Sequence, residues 1–68
     1  MLITYDPEVD ILMIYLLDPE TLLSGAEELP DQVYVHYSKE GRVASVEVLN
    51  ASSKLPEREL LKYKGEGS

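Results

Sequence analysis

The sequence predicts an α+β domain, a small antiparallel sheet of about four to five short strands followed by one C-terminal helix. Three observations carry this. Proline and glycine turns recur at short intervals, the runs between them are apolar or Val/Tyr-rich and of strand length, and the pattern changes to a helical one after Asn50.

The turns divide the chain. Asp6-Pro7-Glu8-Val9 has Asp at the first turn position and Pro at the second, and Asp18-Pro19-Glu20 repeats the tripeptide. Leu29-Pro30-Asp31-Gln32 is a third proline turn. Ser38-Lys39-Glu40-Gly41-Arg42 reads as a hairpin loop, with Gly41 free to take the left-handed conformation.

Between the turns, strands are expected over residues 2–5, 11–17, 22–29, 32–37 and 42–49. The run Ile11 to Leu17 is apolar throughout, as a strand covered on both faces would be. In residues 22–29, Ser24-Gly25 weakens the pattern and predicts a bulge or an irregular edge strand. Around the Gly41 loop, alternation sets Val33, Val35 and Tyr37 on one face and Tyr34 and His36 on the other. In the strand that follows, Ala44, Val46 and Val48 share a face opposite Ser45 and Glu47. The expected core is Leu12, Ile14, Leu16, Val33, Val35, Val46 and Val48.

A helix is expected over residues 55–64. Pro56 suits its first turn, Glu57 and Glu59 its positive end, Lys62 and Lys64 its negative end, and Gly65 its stop. Pro56, Leu60 and Tyr63 form a narrow apolar stripe with Leu61 beside it. A helix this short needs a surface to pack on. Residues 65–68 are expected to be a flexible tail.

With 68 residues the chain has room for a single domain with a thin stability margin, about 3–10 kcal/mol by length. It has no cysteine and one histidine, His36, so neither a disulfide nor a conventional zinc cage can supplement the core. A second subunit is the remaining supplement. No signal peptide or membrane-spanning run is visible, and a cytoplasmic protein without cofactor is expected.

The net charge of −7 is unevenly placed. All six Lys and Arg residues follow Ser38, whereas Asp6, Glu8, Asp10, Asp18, Glu20, Glu27, Glu28 and Asp31 precede it without a single base. Such a chain lacks the clustered positive charge that nucleic acid requires, though an acidic surface can steer a basic protein partner.

The stretch Tyr5-Asp6-Pro7-Glu8-Val9-Asp10, the apolar strand after it, Glu28-Leu29, Gly41-Arg42-Val43 and the closing Val46-Glu47-Val48-Leu49-Asn50-Ala51-Ser52 together resemble the small prokaryotic family known as domain of unknown function 2283. The Tyr-Asp-Pro-Glu opening and the Glu-Val-Leu-Asn-Ala-Ser closing are its most specific parts. The resemblance implies a compact β-sheet domain with a C-terminal helical segment and no assigned activity or catalytic residues. Members are often encoded beside other small proteins, which invites a comparison with antitoxins. The sequence departs from the family pattern at Met13 and Tyr15, where a polar residue is common at one of the outward positions.

Asp6, Glu8 and Asp10 alternate like the start of a calcium loop, but Ile11 stands where that loop needs glycine and Leu17 where it needs a bidentate Glu. His36 can pair with Glu47 across the hairpin, and no motif joins it to Ser38 or Ser45 as a catalytic set. The tyrosines are expected in strands by propensity. The leading expectation is a non-enzymatic, self-associating module, a homodimer formed through an apolar second sheet face. Its interface candidates are Met13, Tyr15, Tyr34, Leu60 and Leu61. A domain that inhibits a small basic partner protein is the second reading, and a small-molecule or metal-binding enzyme using Asp6, Glu8, Asp10 or His36 the third.

Overall fold

The computed structural model describes residues 1–64. Five strands form one antiparallel sheet: β1 (Leu2–Asp6), β2 (Ile11–Tyr15), β3 (Leu23–Leu29), β4 (Val33–Ser38) and β5 (Val43–Leu49), in the spatial order β1-β2-β5-β4-β3. A 3₁₀ turn (Ala51–Ser53) and one helix, α1 (Glu57–Leu61), follow. The class is α+β, as the turns and strand-length runs predict. The expected tail, residues 65–68, lies outside the described residues.

Local chemistry fixes the connections. Asp6 Oδ1 accepts from the Glu8 amide at 3.0 Å, and Asp18 Oδ1 from the Glu20 amide at 2.8 Å. The two Asp-Pro-Glu segments are therefore the same Asx turn used twice. Asp31 and Gln32 take left-handed conformations (φ 65° and 64°) and turn β3 into β4. Gly41, at φ 84°, closes the β4–β5 hairpin, whose ends are tied by a Ser38 amide to Arg42 carbonyl bond of 2.8 Å.

The register assigns the faces. Tyr5 lies opposite Leu12 and Ile3 opposite Ile14; Leu12 faces Val48 and Ile14 faces Val46; Val33 faces Val48 and Val35 faces Val46. These side chains form the first face. The helical segment lies over part of it: Tyr5, Leu12, Ala51 and Leu60 form the buried cluster, with Ile3, Ile14, Val48 and Tyr63 packed against it. No residue of β3 or β4 belongs to that cluster. The helix covers the β1-β2-β5 side and leaves the β4-β3 side bare.

This geometry corrects several expectations. Of the expected core, Leu12 is buried, Ile14, Val33, Val35, Val46 and Val48 are only half-buried, and Leu16 is 48% exposed. The strand β2 ends at Tyr15 rather than Leu17 because the Leu16 and Leu17 amides both turn to the Ala44 carbonyl, at 2.9 and 3.1 Å. The register shifts between His36 and Tyr37, where Ser45 and Val43 are the successive partners and Ala44 is the extra residue. Ala44 therefore does not share the Val46 face; it lines the same hollow as Ser45 on the second face. In β3 a second shift falls between Leu23 and Gly25, and every residue of that edge strand is exposed. The Ser24-Gly25 irregularity read from sequence sits there.

The expected ten-residue helix is also divided. Residues Ala51–Ser53 wind as a 3₁₀ turn, and α1 runs only from Glu57 to Leu61 with Pro56 as its N-cap. The helix stops early because the chain then leaves for the sheet edge. The Tyr63 carbonyl accepts from the Tyr5 amide at 2.8 Å, and Lys64 makes a parallel bridge with Tyr5. The outer edge of β1 is thus covered by the chain itself. Leu60, an interface candidate from sequence, is instead 2% exposed in the core, while Leu61 is 53% exposed. No helix among the described residues is long and apolar enough to cross a membrane.

Candidate functional site

Two constellations of polar side chains stand out. The first is a corner where the ends of the sheet meet the 3₁₀ turn. Asp10 is left-handed at φ 59°, a conformation Asp tolerates better than most residues. This aims its carboxylate inward. Oδ1 accepts from the Tyr5 hydroxyl at 2.6 Å and the Ser52 amide at 3.0 Å, and Oδ2 accepts from the Ser52 hydroxyl at 2.6 Å. The Asp10 carbonyl accepts from the Ala51 amide at 3.1 Å. The hydrogen bonds from Ser52 and Tyr5 hold the Asp10 carboxyl below its ordinary range, whereas the Asp10 partner pushes the Tyr5 phenol up to about 12.

These bonds occupy two of the three carboxylates that resemble the start of a calcium loop. Asp6 caps its own turn and Asp10 holds the 3₁₀ turn. No group of three or more His, Cys, Asp or Glu side chains is placed to hold a metal ion among the described residues. The corner joins structure to structure and leaves no group free to react.

The second constellation lies on the second face of the sheet. Ser45 on β5 is flanked by Tyr15 on β2 and His36 on β4; one step along, Glu47 is flanked by Met13 and Tyr34. His36 Nε2 reaches diagonally to Glu47 Oε1 at 3.0 Å, the pairing that strand alternation anticipated. Around them is a hollow of about 310 Å³ bordered by Met13, Tyr15, His36, Ser45 and Glu47 from the strands and by Asp18 and Thr21 from the segment after β2. Leu16 and Leu17 bend that segment over the sheet, which brings Asp18 to the rim.

Ser45 is 3% exposed and lines the hollow. No side-chain nitrogen or oxygen is sealed from solvent without a partner among the described residues. The Ser45 hydroxyl, for which the fold supplies no hydrogen-bond partner, therefore opens onto the hollow. The imidazole is engaged by Glu47 and not by a hydroxyl, so no nucleophile–base pair is assembled here. The arrangement offers acceptors: the second oxygen of Glu47, the carboxylate of Asp18 and the Ser45 hydroxyl.

The structure distributes the sequence candidates. Met13 and Tyr15 border the hollow and Tyr34 stands next to Glu47 on the same face. Leu60 lies in the core on the other side, and Leu61 points away from it. From sequence Asp18 reads as a turn residue among the early acids, and Ser45 as a polar strand position that no motif joins to His36. Their meeting depends on the Ala44 bulge and the bend at Leu16, neither of which leaves a periodic signal.

No curated protein and no solved structure matches the chain. The profile of a family described as protein of unknown function (DUF2283) matches residues 2–52, most of the 68-residue chain, from the start of β1 to Ser52 of the Asp10 corner. On that match, which covers the whole sheet and ends at the turn that Asp10 holds, the chain belongs to the DUF2283 family.

Proposed function

We propose that this domain is a non-enzymatic interaction module that self-associates as a dimer. The observation that carries the reading is the half-covered first face. The helix and the 3₁₀ turn lie over β1, β2 and β5, while Val33, Val35 and Leu29 of the same face have no cover of their own. A second copy related by a two-fold axis would set its helix beside the first, each over the valines of the other. Leu55 and Leu61, both exposed on the helical segment, would then face apolar surface. The molecule measures 35 × 28 × 17 Å, and its broad face has room for the roughly 800 Å² per partner of a standard interface.

This placement differs from contact through the second face for an electrostatic reason. Glu47 and His36 stand at the centre of that face, and stacking it on its own copy would bury two carboxylates against each other. On the sheet part of the first face the Tyr37–Glu27 pair, bonded at 2.8 Å, lies at the border. Sedimentation at tens of micromolar is expected to give a dimer. Val33→Lys with Val35→Lys should give a folded monomer, whereas Met13→Lys should leave the dimer intact. A strict monomer for the unaltered chain at that concentration refutes the reading. The second reading, a domain that binds a basic partner, has in its favour the hollow on the other face, whose border contains Asp18 and Glu47 but no Lys or Arg.

A further inference from the structure

We infer that the hollow on the second sheet face is a binding site for a primary alkylammonium group. The inference stands apart from self-association, because the two surfaces are on opposite faces of the sheet. It rests on two independent observations. The first is charge: Asp18 and Glu47 border the hollow, no Lys or Arg does, and the only nitrogen base present, His36, is paired with Glu47. The second is Ser45, a hydroxyl on a residue almost wholly buried, opening onto the hollow with no partner in the fold. The hydroxyl is reached from the hollow and is free to bond whatever polar group enters that space.

The acceptors match the head group in number. Glu47 gives one oxygen to His36 and keeps the other, and Asp18 gives Oδ1 to the Glu20 amide and keeps Oδ2. With the Ser45 hydroxyl these make three acceptors, and an ammonium has three N–H donors and no acceptor. A guanidinium, which spreads five donors over a plane, would leave donors unmet. Tyr15 and Met13 border the same space and supply an aromatic ring and a thioether for the attached methylenes. The shared chemistry belongs to two sources, a free diamine and the side chain of a lysine in a partner.

The test is a titration of the full chain followed by backbone amide NMR. One arm uses 1,5-diaminopentane, a second uses Nα-acetyl-lysine methylamide, and a third uses 1-pentanol, which has the carbon chain without the charge. Saturable shifts confined to the amides around Asp18, Ser45 and Glu47 are expected with one or both amines and not with the alcohol. Saturation by the diamine alone identifies a small-molecule site, and saturation by the lysine derivative identifies a side-chain site. Glu47→Gln should weaken binding about tenfold or more, and Ser45→Ala about three- to tenfold, with the spectrum elsewhere unchanged. Shifts that do not saturate, that follow the alcohol, or that persist undiminished in both variants overturn the assignment.

Discussion

Truncating Leu60 to alanine tests the core directly, because this residue could equally have served a subunit contact. In the structure it is 2% exposed and closes the cluster of Tyr5, Leu12 and Ala51. Removing a buried leucine beyond Cβ costs about 2–5 kcal/mol, from lost transfer free energy and the cavity left behind. The upper half of that range applies where neighbours cannot collapse, and here they cannot readily do so. Tyr5 is tied to Asp10 and Ala51 is held by the Asp10 carbonyl. A domain of this length has about 3–10 kcal/mol in total. The substitution should therefore lower the melting temperature by roughly 10–30 °C or leave the chain unfolded at room temperature. Urea unfolding followed by far-ultraviolet circular dichroism measures it, with Leu22→Ala as the control, where about 0.5 kcal/mol or less is expected at a site 68% exposed. A loss below about 1 kcal/mol for Leu60→Ala would refute the packing argument. So would a loss present only at concentrations where the dimer forms.

The Asp10 corner predicts opposite pH limbs for its two partners. The Asp10 carboxyl is held below its reference value of 3.8, so its contribution is fully present above that value and fades as pH falls through the lower folded value. Denaturation measured from pH 6 downward should show Asp10→Asn less stable at the start and converging with the unaltered chain in acid. The Tyr5 phenol is raised from 10.0 to about 12, so its contribution holds below pH 10 and is lost as pH rises through about 12; Tyr5→Phe should remove that alkaline limb. Gly41→Ala places a side chain at φ 84° and should cost about 1–2 kcal/mol by thermal melt. Gly25→Ala is the contrast: an added methyl meets nothing within 4 Å and φ is not positive, so the melt should hold or gain up to about 1 kcal/mol.

The elements legible in the sequence are those written in local chemistry. Asx-Pro turns, the Gly41 hairpin and the Ser24-Gly25 irregularity are decided within a few residues, and each appears where its residues stand. The core was less legible because alternation gives a face but not what covers it. Val33, Val35 and Val46 alternate like core valines and do share the face with Leu12, yet the helix is one short segment and reaches only half of that face. Tyr5 and Ala51 fall outside that alternation signal for the converse reason. One is aromatic with a polar tip and the other is small, and both are buried because Asp10 draws them together. The hollow needs two further events, the Ala44 bulge in the pairing of β4 with β5 and the bend at Leu16, where two amides turn to the Ala44 carbonyl.

The placement of the Asp10 corner bears on where function can reside in this family. The two most specific stretches of the resemblance, Tyr5 to Glu8 and Glu47 to Ser52, are far apart in sequence, and Tyr5 of the first meets Ala51 and Ser52 of the second at Asp10. Every polar group there is bonded to another, so what those residues do is anchor the 3₁₀ turn and thereby aim α1 at β1 and β2. Among the surfaces that the anchored helix leaves uncovered are the β4-β3 half of the first face and the Glu47–His36–Ser45 hollow of the second. The residues lining them, Val33 and Val35 on one side and Asp18, Ser45 and Glu47 on the other, take no part in the hydrogen bonds of the corner. On the proposed readings, substitutions of exposed groups on either surface change binding while the Asp10 corner stays intact.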